Sequence, residues 1–182
     1  MISVAVKVLL VLFIIYAIFV YNRGISLRNY VKEAFSTMDV YLKKRWDLIP
    51  NLIETVKGYA QHEQNLLNEL TQARTKNYAN MSEKEKIQTH TQLGTAIPKI
   101  FALAENYPDL KANQSFIELM NELSAIENDI ANARKYYNGT VRELNTFTET
   151  FPSNLMCKIF GIKPEKMFVI SEDERTNIQV KF

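Results

Sequence analysis

Hydrophobic positions follow two regimes along the chain, one solid and one periodic. The solid one is Ile2 to Tyr21, ISVAVKVLLVLFIIYAIFVY, in which Lys7 is the lone charge and Tyr16 the lone polar side chain between Val8 and Val20. A membrane-spanning helix needs about 20 mostly apolar residues, and Lys7, close to the outer end, can lift its ammonium to the headgroups. Ile2, Val8, Leu10, Phe13, Ile18 and Tyr21 therefore mark a membrane anchor. A cleaved signal peptide is the main competing reading, but the following VYNRGIS carries no small-x-small cleavage signal. A buried core helix is the third. Arg23, Arg28 and Lys32 follow the block while only Lys7 precedes its centre, so the positive-inside rule places the rest of the chain in the cytoplasm.

Beyond Gly24 the apolar residues recur at steps of three and four, the signature of helices with one buried stripe. Segment one, about 25–49, carries Leu27, Val31, Ala34, Phe35, Met38, Leu42, Trp46 and Ile49. Pro50 removes a helical hydrogen bond, so a kink or a tight corner is expected there. Segment two, about 51–76, carries Leu52, Ile53, Val56, Tyr59, Ala60, Leu66, Leu67 and Leu70, and a polar connection, 77–81, follows. Ser82 and Glu85 have the spacing of a capping box, which opens segment three at about 83–106. Its stripe is Ile87, Leu93, Ile97, Ile100, Phe101 and Ala104, with Pro98 expected to bend it. Segment four, about 114–151, runs from Phe116 through Met120, Leu123, Ile126, Ile130, Ala133, Tyr137, Val141, Leu144 and Phe147 to Phe151. At 1.5 Å per residue it is roughly 57 Å long and can back two shorter helices. Gly139 is its soft spot. After Pro152 only Leu155–Phe160 looks like an amphipathic turn, and the tail after Gly161 reads as irregular or partly extended.

The pattern predicts an all-α fold: an N-terminal transmembrane helix followed by an antiparallel up-down four-helix bundle, with coiled-coil-like packing near +20°. Residues 1–23 form the anchor, 24–152 the bundle and 153–182 a tail. Composition agrees, since 5 Gly and 5 Pro are few for a turn-rich fold. The net charge of +2 argues against nucleic acid as a partner.

Candidate chemistry is sparse. His62 and His90 have no second ligand at metal spacing and read as surface or lightly packed residues. Cys157 has no base nearby and reads as a small buried hydrophobe. No phosphate loop, metal or cofactor motif is present. Polar residues on or beside the apolar stripes, Arg45, Asn51, Glu105, Glu127 and Arg134, form a candidate interhelical polar network. It reads first as a set of ion pairs fixing helix register and second as the lining of a partner pocket. The run Lys43-Lys44-Arg45 reads as a solvated face with Trp46 turned inward.

Three blocks, DVYLKKRWDLIPNLIETVKGYAQHE (39–63), AENYPDLKANQSF (104–116) and IENDIANARKYYNGTVRELNTFTETFP (126–152), together with the anchor, resemble the LemA family of bacterial membrane proteins across about residues 1–165. The resemblance implies a single-pass anchor carrying a four-helix bundle in the inner membrane and transfers no catalytic residue. Some relatives are associated with magnetosome membranes. The expected function is that of a membrane-anchored, non-enzymatic interaction or scaffold protein meeting other membrane proteins, with self-association left open. The alternative is a membrane-shaping protein acting through Leu155–Phe160.

Overall fold

A computed structural model describes residues 2–59, 63–74 and 76–168. Among these the chain is all-α, with six helices and no strand: α1 (Ile2–Lys57), α2 (Gln64–Ala73), α3 (Glu83–Ala104), α4 (Pro108–Lys111), α5 (Gln114–Glu149) and α6 (Ser153–Phe160). One 3-10 turn, Tyr78–Asn80, precedes α3. The described residues form two compact units, one of residues 2–38 with 133–168 and one of residues 39–132. Helices α1 and α5 contribute to both.

In the first unit, Leu27, Val31, Ala34, Phe35 and Met38 of α1 are buried, as are Ala133, Tyr137, Val141 and Leu144 of α5. Each of the larger aliphatic, methionine and phenylalanine side chains among them contributes about 1.5–3 kcal/mol by leaving water. The predicted stripes are thus the core. Phe151 departs from its stripe and is 74% exposed, because α5 stops at Glu149. Helix α6 buries Met156 and Cys157 and ends at Gly161. That residue has φ 67°, a left-handed conformation that a side chain disfavours. The Ile162 amide then donates to Cys157 O at 2.9 Å, closing the helix end. The Cys157 thiol is pushed up by burial, which keeps it protonated and inert.

The N-terminal part of α1 is different. Val8, Leu10, Phe13, Ile18 and Tyr21 are between 46% and 59% exposed, with no protein packed over most of the stretch. Ile2 starts the helix, and its side chain lies outside the described residues. This is the single helix among the described residues long and apolar enough to cross a membrane.

In the second unit the tight corner weighed at Pro50 does not occur. α1 continues through it to Lys57, and the chain turns at Gly58 instead. The lost hydrogen bond is outweighed by the face it would interrupt, since Trp46, Ile49, Leu52 and Val56 are all buried. Pro98 likewise lies inside α3, between buried Ile97 and Ile100. Helix α2 packs on α3 through Leu70 and the Lys99–Glu69 ion pair at 3.0 Å. The Ser82–Glu85 capping box is present in full. Lys76, with the Ser82 amide and hydroxyl, holds the Glu85 carboxyl down to about 2.

Candidate functional site

The second unit has a polar centre where an apolar one is expected. Arg45 lies one turn after Leu42 and one before Ile49 on the buried face of α1, and only 3% of it is exposed. It therefore does not join Lys43 and Lys44 on a solvated face. Its guanidinium spans three helices. Nη1 donates to Glu127 Oε2 on α5, and Nη2 donates to the His90 carbonyl on α3 at 2.7 Å. Nη2 also faces His90 Nδ1 at 3.0 Å. A guanidinium can only donate, so Nδ1 accepts and the ring proton resides on Nε2. His90 is 2% exposed, a correction to its expected light packing. Burial, then the charges of Arg45 and Lys86, depress its pKa to about 3. It is neutral at physiological pH.

A second layer covers the first. Tyr78, from the connection expected to be merely polar, is buried with its ring edge-on to His90 and 5.5 Å from Trp46. Its hydroxyl donates to Asp39 Oδ1 at 2.6 Å, and Lys86 Nζ donates to Asp39 Oδ2 at 2.6 Å. Burial first, then the hydrogen bond to Asp39, raises the phenol far above its ordinary value. The Lys86 ammonium stands 4.8 Å from the Tyr78 ring centroid, and the Arg74 guanidinium 5.5 Å from that of Trp46. Both are cation–π distances.

Two shallow clefts of about 440 and 390 Å³ flank Tyr78. Lys43, Lys44 and Lys86 line the first, and Lys43, Arg74 and Lys76 the second. The acids in them are Asp39 and Asp47, already bound by Lys86 and Lys43 at 2.6 Å. The rim is therefore net positive. Among the described residues no cluster of three His, Cys, Asp or Glu could hold a metal ion. His62 lies outside the described residues.

Of the five polar residues singled out in the sequence, the structure joins Arg45 to Glu127. Asn51 is exposed on α1, its carbonyl accepting from Thr55 Oγ1. Glu105 is exposed at the C-terminal end of α3. Arg134, in the first unit, stands 5.6 Å from the Phe168 ring centroid. Tyr78, Asp39 and Lys86 lie outside that set, and His90 enters the centre although its sequence setting reads as surface or lightly packed. Their one sequence signal is an aromatic residue, Tyr78, inside an otherwise polar connection.

Comparison with known proteins gives two findings. The model of the LemA family matches residues 34–182. A protein of Metamycoplasma hominis described as "Protein LemA" is 24% identical over 168 residues, which is 91% of this chain and 77% of that protein.

Proposed function

The chain belongs to the LemA family, and on that premise we propose that it is a membrane-anchored interaction protein without catalytic activity. The observation that carries this reading is α1 itself. Its uncovered apolar stretch continues without a break into the core of a helical domain. One helix is thus both anchor and core element, and the domain is held close to the bilayer. Tethering of this kind raises the effective concentration of a binding surface for other membrane proteins.

The polar centre supports a non-enzymatic role. A general acid or base works best with a pKa near the operating pH. His90 is held neutral and Tyr78 is held protonated, so neither exchanges protons there. The centre acts as a clasp between α1, α3 and α5, and the positively charged rim around Tyr78 fits an acidic segment of a membrane partner. The basic residues Arg23, Arg28 and Lys32 favour a single pass through the inner membrane with the domain in the cytoplasm.

Detergent extraction of the full-length chain after crosslinking in cells tests the proposal. A stoichiometric membrane partner should be recovered, and Lys44→Glu with Lys76→Glu should lose it. Repeated recovery of the chain alone rejects the reading. A C-terminal reporter active only in the cytoplasm tests the orientation.

A further inference from the structure

Helix α6 carries an apolar face that nothing in its unit covers. Met156 and Cys157 point inward, while Leu155 is 53% and Ile159 72% exposed, and Phe151 just before the helix 74%. One contact gives its level along α1. The Phe160 ring meets the Tyr21 ring edge-on at 5.3 Å. Tyr21 ends the exposed apolar stretch of α1, so the C-terminal end of α6 is level with the end of that stretch. Val20, one residue earlier, is buried, in contrast to Val8–Ile15. At the other end of α6, Ser153 borders a cleft of about 490 Å³ that also holds Arg23, Arg142, Thr146 and Thr150. Neither arginine has an acidic partner among the described residues, although Glu143 lines the same cleft.

We propose that α6 is an interfacial helix whose Leu155–Ile159 face lies in the headgroup–acyl boundary of the leaflet that Tyr21 meets, with Arg23 and Arg142 seating lipid phosphate beside it. The inference rests on the bilayer insertion of α1 proposed above. A short helix with one apolar and one basic face lies in the membrane plane with the apolar side roughly 5–10 Å into that boundary. Lys158 on α6 and Lys163, two residues beyond its Gly161 cap, are exposed and supply the positive charge beside that face. The apolar face continues the surface that α1 already gives to lipid, so it adds area to an existing interface. The membrane grip then has two parts, a spanning helix and a flat one, which together resist tilting of the anchor.

The test uses the full chain in vesicles of phosphatidylcholine and phosphatidylglycerol, spin-labelled in turn through Phe13→Cys, Leu155→Cys, Lys158→Cys and Ile159→Cys. The unsubstituted chain serves as the blank, since Cys157 is buried. Labels at 155 and 159 should collide preferentially with oxygen and be shielded from a water-soluble nickel chelate, and the label at 158 should show the reverse. Equal nickel access at 155, 158 and 159 overturns the inference. If the label at 13 remains lipid-exposed in that case, only the α6 placement falls; if it too meets the chelate, the anchor reading falls with it. For the phosphate seat, selectivity for spin-labelled phosphatidylglycerol over phosphatidylcholine should drop by about fivefold per arginine removed in Arg23→Gln and Arg142→Gln. Unchanged selectivity overturns that part.

Discussion

Asn138 on α5 and Phe168, beyond α6, exchange two hydrogen bonds as two paired peptides would. Asn138 Nδ2 donates to the Phe168 carbonyl at 2.9 Å, and the Phe168 amide donates to Asn138 Oδ1 at 2.8 Å. Asn145 repeats the exchange with Glu165, at 2.9 Å for both bonds. The two asparagines are seven residues apart, a rise of about 10.5 Å on a helix. Their partners are three apart, a distance the chain spans only when nearly fully extended, at about 3.3–3.6 Å per residue. The register thus holds residues 165–168 straight along α5, with the Tyr137 hydroxyl donating to the Lys166 carbonyl at 3.1 Å between them.

Asn138→Ala should release this strap. It leaves the Phe168 amide and carbonyl to water at a net cost of about 1–3 kcal/mol. Hydrogen exchange at residues 165–168 should accelerate while α3 is unaffected. Asn138→Asp, which keeps the acceptor and loses the donor, should fall between the two. Unchanged exchange in Asn138→Ala would show that the side-chain amide does not hold the segment.

Arg45 and Glu127 should respond unequally to substitution. Arg45→Ala removes a buried side chain and its charge-assisted hydrogen bonds, each worth about 1.5–3 kcal/mol. A total loss of about 3–5 kcal/mol is expected. Glu127→Ala leaves the buried guanidinium without its carboxylate, but the Glu127 side chain is 57% exposed and water can enter where it stood, so it should cost less, about 1–3 kcal/mol. Chemical denaturation of the full chain in detergent measures both. Equal losses would contradict the burial asymmetry.

His90 should make stability depend on pH in one direction. Its ordinary value is 6.5 and its folded value about 3. Between these the unfolded chain binds a proton that the folded chain does not. The stability is therefore fully present above pH 6.5 and lost as pH falls towards 3, at no more than about 1.4 kcal/mol per pH unit. Glu85, with a folded value of about 2, acts in the same direction only below its ordinary 4.5. Thermal unfolding compared at pH 7 and pH 5 isolates the histidine. His90→Gln should flatten the difference, and a slope that survives the substitution would assign it to another group.

The helical stripes were readable because burial decides them. Leu27 to Ile49 match the core residue for residue, and Phe116 to Leu144 match it except for the buried Leu119, whereas Tyr59 and Phe101, also placed on stripes, are 39% and 41% exposed. Turns were less readable. Pro50 looked like a corner because the rule for proline is local, whereas the cost of one hydrogen bond was set against the burial of Trp46, Ile49 and Leu52, which is not local. The polar centre was half visible. Arg45 stood out because a charge on an apolar stripe demands partners. His90 did not, because nothing local tells a buried neutral imidazole from a solvated one. The Asn138 and Asn145 strap joins residues 20 to 30 positions apart, which helical periodicity along α5 cannot reveal.

Gly24 separates two opposing effects at the end of the apolar stretch. It lies inside α1, where alanine is favoured over glycine by about 1 kcal/mol. A methyl group there would run into Ile162 Cδ1, with Ile162 Cγ1 and Phe147 Cε1 at ordinary contact. Cδ1 is the end of a flexible side chain, so a rotamer change makes room, although Ile162 is only 5% exposed. Gly24→Ala should therefore leave stability within about 1 kcal/mol of the parent, with gain and strain nearly cancelling. Gly24→Val adds branches that one rotamer change cannot accommodate and should cost about 1–3 kcal/mol. The double variant Gly24→Val with Ile162→Ala should recover much of that loss, because the space taken by one side chain is vacated by the other. Denaturation of Gly24→Val, of Ile162→Ala and of the double variant gives the coupling directly. If the double variant shows the sum of the two single losses, residues 24 and 162 are not in contact.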